Sequence, residues 1–187
     1  LLKFHEECIV SLKTKRLNPS GSVSIGLPST LPGIVVPAFY RAMREQLPDV
    51  RLYVVEASTA VLHEWLRDGK IDFAVLFSIP ESAELRITPL YIEDFCLVGQ
   101  PSGKDTPRSI GFEELFNYEL MIPCGATSWR KILDRAAEDR GLSFGTPIET
   151  ESFSGLRAAA LSGVCRVIMP RTSVHQEIEA GVLEARR

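Results

Sequence analysis

No stretch of this 187-residue chain approaches the ~18 apolar residues of a membrane span. Nor does a charged start, apolar core and small-residue cleavage site mark a secretory signal. The expectation is a cytoplasmic protein with no membrane partner. Basic residues are not in excess: Lys and Arg number 21 against 24 Asp and Glu, a formal net charge of -3. A pI near 5.7 argues against this segment itself gripping a phosphate backbone, which needs a basic face. The phosphate-cradling patterns G-x-G-x-x-G and G-x-x-x-x-G-K-[ST] are missing, as is the G-x-S-x-G nucleophile elbow. The 4 cysteines, Cys8, Cys96, Cys124 and Cys165, have no C-x-x-C spacing and read as reduced structural thiols. The 3 histidines, His5, His63 and His175, fall on separate predicted helices without a second ligand at metal spacing. No metal and no cofactor is expected.

What is present is a chain that is 45% hydrophobic, enough for a real core in one domain or two small ones. Its organising stretch is residues 22–31, SVSIGLPSTL: Val23, Ile25 and Leu27 alternate as in a strand, and Gly26 and Pro28 punctuate. Ser29 or Thr30 stands where a helix N-cap belongs. Leu31, Val35, Val36, Phe39, Tyr40, Met43 and Leu47 then mark one face of a helix. Such a turn brings hydroxyls and unpaired backbone N–H groups to the carboxyl end of a strand, where open α/β sheets hold ligands.

The same device recurs. A strand over 50–55 leads through Ser58 and Thr59 into a helix carrying Val61, Leu62, Trp65 and Leu66, closed by Gly69, and residues 71–77 read as a strand covered on both faces. Residues 20–80 are thus β-α-β-α-β, a parallel sheet. The pattern lapses at 78–82, and a second unit opens with a strand over 90–99, a short helix over 112–116 and a strand over 119–122. There follow a helix with Trp129, Ile132, Leu133, Ala136 and Ala137 on one face, closed by Gly141, and a strand over 148–151. A turn at 152–155, a helix over 156–161, a strand over 164–169, a helix over 172–180 and a strand over 182–185 complete it. Residues 1–16 read as the end of an amphipathic helix that something precedes. The divisions are therefore 1–19, linker helix and linker; 20–80, first α/β subdomain; and 81–187, second α/β subdomain.

Candidates for chemistry are few. Cys124 ends a strand just before a helix N-terminus, which can activate a thiol, but the sequence offers no identifiable base. Arg166 interrupts an apolar strand, either reaching a ligand or partner or sitting on an exposed edge. What remains is a set of small hydroxyls beside aromatic residues at strand ends, a composition that suits a binding pocket better than an active site.

Residues 21–39, GSVSIGLPSTLPGIVVPAF, with 47–77, LPDVRLYVVEASTAVLHEWLRDGKIDFAVLF, and 155–170, GLRAAALSGVCRVIMP, resemble the effector-binding domain of LysR-type transcriptional regulators over nearly the whole chain. Residues 52–77 are similar to the nitrogen assimilation control subgroup. Cys165 and Arg166 depart from the small and apolar residues of the family. The resemblance implies two Rossmann-like α/β subdomains of the type 2 periplasmic-binding-protein kind, with a hinge and a small-molecule effector in the interdomain cleft. By position, effector contacts would fall on Thr30, Thr59 and Phe77, and on Thr127, Ser128, Trp129 and Phe153. Phe77 stands where some relatives carry an arginine for a carboxylate, leaving either Arg166, helix N-termini and hydroxyls to hold an anion, or an effector that is less charged. The resemblance also implies no enzymatic activity, and a homodimer or homotetramer pairing helices such as 61–66 and 132–137. DNA contact would come through a helix-turn-helix preceding Leu1, and a return segment completing the first subdomain would follow Arg187. A transport-type solute-binding protein of the same fold is the alternative, and a small enzyme using Cys124 a more distant one.

Overall fold

The computed structural model describes residues 19–77, 84–103, 107–125, 127–145 and 147–187. The predicted helix at 1–16 and the break at 78–82, with Ser78, lie outside the described residues. The chain divides into two compact units between Leu76 and Phe77.

The first unit contains β1 (Gly21–Leu27), α1 (Pro32–Gln46), β2 (Val50–Glu56), α2 (Thr59–Arg67) and β3 (Phe73–Ala74). Both β2 and β3 pair with β1 in parallel, in the order β2-β1-β3. Because β1 is central, the two crossovers run in opposite directions, and right-handed connections put α1 and α2 on opposite faces. Gly26 is explained by close approach: a Cβ there would lie 2.5 Å from Leu62 Cδ2 and 2.9 Å from Ile71 Cδ1. Leu27, Leu31, Leu62 and Ile71 are the buried apolar residues of this unit.

Three expectations for this unit need correction. The N-cap of α1 is Leu31, with no side-chain cap, because a turn closed by Leu31 N–H on the Pro28 carbonyl (2.9 Å) turns Thr30 inward. The apolar face of α1 contains no fully buried residue, and Tyr40 is 67% exposed. The strand expected over 71–77 shrinks to Phe73–Ala74, with Phe73 62% exposed, because this edge of the sheet is covered on one face only. What anchors it is Asp72, whose Oδ2 accepts from Ser24 N–H (2.8 Å) and Ser24 Oγ (2.6 Å), while Asp72 N–H donates back to Ser24 Oγ (3.0 Å).

The second unit holds β4 (Phe95–Gly99), a 3-10 helix (Phe112–Asn117), β5 (Leu120–Pro123), α3 (Ser128–Glu138), β6 (Ile148–Thr150), α4 (Phe153–Ser162), β7 (Arg166–Pro170), a 3-10 turn (Arg171–Val174), α5 (His175–Glu179) and β8 (Glu184–Arg186). Its mixed sheet runs β6-β5-β7-β4-β8, with β4 antiparallel to β7 and β8. Strand alternation sends Cys96, Val98, Val167 and Met169 to one face, where Leu156, Ala159 and Ala160 of α4 cover them. Leu97, Ile122 and Ile168 go to the other, under Leu115 and Leu133. The strand expected from residue 90 begins only at Phe95, and Leu90, Tyr91 and Ile92 are exposed.

Arg166 is not on an exposed edge, and its guanidinium meets a carboxylate of its own unit. It opens the central strand β7, at the end remote from the sheet's carboxyl edge, and crosses Gly99 of β4 to pair with Glu184 of β8 (3.1 Å). Ser102 Oγ accepts from the same guanidinium and donates to Glu184 Oε1 (2.8 Å). Gly99 is required because a Cβ would sit 2.4 Å from Arg166 Cδ.

Candidate functional site

In the first unit, β1 and β2 end side by side, tied by Ala57 N–H to the Leu27 carbonyl (3.3 Å). Thr30 follows β1; its side chain is buried, and its Oγ1 makes no hydrogen bond. A buried hydroxyl without a partner is uncommon and unfavourable by about 1 to 3 kcal/mol. After β2, Ser58 is the N-cap of α2, its Oγ accepting from Val61 N–H (3.4 Å), and Thr59 is the first helical residue, half-buried. Thr30 and Thr59 thus share one sheet edge. Neither α1 nor α2 has an acidic residue in its first turn, so the positive ends of both helices stand uncompensated. Phe77 is half-buried and opens the second unit.

In the second unit, Thr127, Ser128 and Trp129 follow β5 and Phe153 follows the adjacent β6, which places these four on one sheet edge. Thr127, the first of the pair of hydroxyls after β5, is the N-cap of α3. Its Oγ1 accepts from Arg130 N–H (3.3 Å) and donates to the Cys124 carbonyl (3.0 Å), so its proton is committed internally. At α4 the cap is Ser152, Oγ accepting from Gly155 N–H (3.0 Å), and Phe153 lies in the helix rather than in a turn before it. Trp129 and Phe153 are half-buried and both lean on the core around Leu156; Trp129 also lies 5.9 Å from the Phe95 ring.

Sequence reasoning missed the ties that hold this edge. Three consecutive residues of the β6 segment grip the β5–α3 connection: Glu149 accepts from Arg130, the Thr150 carbonyl from Cys124 N–H (3.1 Å), and Glu151 from the Cys124 thiol (3.3 Å). Arg130 also donates to the Pro123 carbonyl (3.1 Å) and to Asp134 (2.8 Å). Burial works against its charge, but Asp134 and Glu149 outweigh that and hold its pKa above the ordinary arginine range. The i,i+4 spacing of Arg130 and Asp134 was readable in the sequence; the Glu149 partner depends on strand pairing and was not. Glu151 puts an anion at the Cys124 sulfur, the reverse of the cationic surroundings that activate a cysteine nucleophile. Cys96, Cys124 and Cys165 are free thiols, and burial pushes Cys96 and Cys165 upward in pKa. No helix among the described residues is long and apolar enough to cross a membrane.

The architecture and this sequence have recognisable counterparts. The chain is 32% identical over 155 residues to the nitrogen assimilation regulatory protein nac of Klebsiella aerogenes, covering 82% of this chain and 50% of that protein. It is 29% identical over 167 residues to the HTH-type transcriptional regulator BbuR of Bordetella bronchiseptica, covering 89% and 51%. It therefore spans about half the length of the curated relatives it matches. Those relatives are transcriptional regulators, not enzymes. Among solved structures it is similar to a Corynebacterium glutamicum OxyR C206S mutant bound to H2O2, with a TM-score of 0.74 at 20% identity over 100% of this chain and 59% of that one. It is also similar to the effector-binding domain of QuiR in complex with shikimate, with a TM-score of 0.73 at 14% identity over 89% and 80%. These likenesses establish the type 2 periplasmic-binding-protein-like α/β fold. The profile of the LysR substrate binding domain matches residues 17–187, and the chain belongs to that family.

Proposed function

We propose that this chain is the effector-sensing and oligomerisation domain of a cytoplasmic bacterial LysR-type regulator, and that a small molecule binds between the two units. Thr30 and Thr59 of the first unit would contact it, together with Phe77 at the boundary and Thr127, Ser128, Trp129 and Phe153 of the second. The observation that carries this reading is the buried, unpartnered hydroxyl of Thr30 at a sheet's carboxyl edge. A ligand that supplies the missing partner is the simplest reason to keep it. The QuiR domain, whose structure contains shikimate, supports a small polar effector with an apolar part. DNA contact belongs to a helix-turn-helix in the portion of the relatives' length that this chain does not span. Sensing by the full-length protein, rather than transport of a solute, follows from the regulators among its relatives.

The assembly is a homodimer or homotetramer through a self-complementary contact. The helix expected to contribute from the first unit, 61–66, is a poor candidate because Leu62 is fully buried within its own unit. Exposed apolar residues suited to such a contact stand on two edge strands and the neighbouring helices: Tyr40 of α1 and Tyr53 of β2, then Ile132 of α3 and Ile148 of β6. The α1–β2 edge of one copy meeting the α3–β6 edge of another would bury all four. Sedimentation of the full-length protein tests this. Tyr53→Glu together with Ile148→Glu should yield monomers at micromolar concentration, and an unchanged oligomer would contradict the contact. The effector reading is tested by the promoter response of Thr30→Val, set out below.

A further inference from the structure

A cavity of about 230 Å3 opens in the second unit and is lined in part by Tyr91, Ile92, Glu93, Asp94, Arg171 and Thr172. Its position follows from the sheet register: Phe95 of β4 opposes Pro170 of β7 in antiparallel pairing, so the residues before one strand meet those after the other. Arg171 N–H donates to the Asp94 carbonyl (3.2 Å) and fixes that meeting. Every lining residue belongs to the second unit, and none is among the residues proposed above to contact the effector.

The acidic groups in its wall are already engaged. Both oxygens of Glu93 accept from Thr172, one from its hydroxyl and one from its N–H (3.4 Å), and Asp94 pairs with Arg187 (3.1 Å). His175, also in the wall, faces Glu179 at 3.1 Å. Arg171 is different: it is exposed, and its guanidinium makes no ion pair or side-chain hydrogen bond among the described residues. Beside it stand two exposed apolar surfaces, Tyr91 and Ile92, the latter 96% exposed. Partial burial and the Glu93 carboxylate both push the Tyr91 phenol upward in pKa.

We propose that this cavity is a binding site for a small monocarboxylate, its carboxylate on the Arg171 guanidinium and its short apolar tail against Tyr91 and Ile92. A guanidinium fork matches a planar carboxylate with two parallel N–H···O bonds. The volume is below the ~300 Å3 at which pockets for drug-sized ligands begin, which restricts the tail to a few carbons. A doubly charged phosphate fits less well, because Glu93 and Asp94 stand in the same wall and their repulsion grows with the charge of the ligand.

The test is titration of the complete chain, followed by amide chemical shifts, with butyrate, n-butylammonium and inorganic phosphate at constant ionic strength. Butyrate should bind saturably and shift amides around Arg171, and the other two should bind more weakly. Arg171→Met should weaken butyrate about tenfold or more, the loss expected for a charge-assisted pair, without lowering Tm, since the side chain is exposed. Ile92→Ser should weaken it less, and Ser109→Ala, which does not line the cavity, not at all. Butyrate binding unchanged in Arg171→Met, tighter binding of n-butylammonium or phosphate, or no saturable binding of butyrate would each overturn the assignment. None of these results bears on the promoter response of Thr30→Val, so the two proposals fail separately.

Discussion

At the carboxyl edge of the first unit the Thr30 hydroxyl is buried and makes no hydrogen bond, whereas at the corresponding edge of the second Thr127 accepts from Arg130 N–H and donates to the Cys124 carbonyl. Two residues of one type, each following a strand and leading into a helix, are therefore in opposite states. One is a group in want of a partner; the other is a working cap. The difference extends to their surroundings. The β5–α3 connection is tied to three consecutive residues of the β6 segment and to Arg130, while the turn at 28–31 is closed by one backbone hydrogen bond, from Leu31 to Pro28. The second unit offers a rigid edge and the first an incomplete one, so ligand binding should change the first more.

Core substitutions should break the comparison most strongly. The second unit has fully buried side chains on both sheet faces, including Met169 and Ile122. Met169→Ala should cost about 2 to 5 kcal/mol, read as a lower Tm with increased amide exchange in β4 and β7. In the first unit the counterpart is overpacking: Gly26→Val drives a side chain into Leu62 and Ile71 and should cost about 1 to 3 kcal/mol, with faster exchange confined to β1–β3. If either variant loosens the other unit equally, the two are not the separate compact bodies described here.

Next in size is the cap. Thr127→Val removes the acceptor for Arg130 N–H and should destabilise by about 0.5 to 2 kcal/mol, measured by chemical denaturation. A smaller effect is expected from acid. The Ser24 hydroxyl and N–H hold the exposed Asp72 carboxyl below its ordinary value of 3.8. A group whose folded pKa is depressed contributes stability that is complete above the unfolded pKa and is lost as pH falls through the folded one. Ser24→Ala should therefore lower Tm at neutral pH and lose its difference from the parent chain as pH falls below the ordinary carboxylate range. A difference that persists at the lowest pH would mean that the Ser24–Asp72 contact is not what anchors β3.

Much of this arrangement was legible in local sequence. The alternation of Val23, Ile25 and Leu27, the Ser58 and Thr127 caps, and the Leu133–Ala137 stripe all depend on residues a few positions apart, and each is found where spacing puts it. What escaped depends on distant partners. Arg166 reads as an intruder in an apolar strand until β4 brings Gly99 beneath it and β8 brings Glu184 beyond. The apolar run at 71–77 predicts a strand covered on both faces, yet Phe73 is exposed because burial is set by what lies over the strand. Thr30 has the composition of a cap, but the cap position falls one residue later, on Leu31, whose φ of -103° and ψ of -29° are not the extended capping geometry. Of the candidate site, local reasoning found the residue types and the strand ends; which hydroxyls are committed was visible only with hydrogen bonds in place.

The smallest expected change in stability tests the central claim most directly. Thr30→Val removes a hydroxyl for which the chain itself supplies no hydrogen-bond partner, so Tm of the full-length protein should stay level or rise. Promoter induction under its natural inducing condition should weaken, because a ligand group left unpaired costs about 1 to 3 kcal/mol, or roughly fivefold to a hundredfold in affinity. A Ser109→Ala control should match the parent protein in both. Full induction in Thr30→Val, with the same dependence on the inducing condition as that control, would contradict the proposal that this hydroxyl meets the effector.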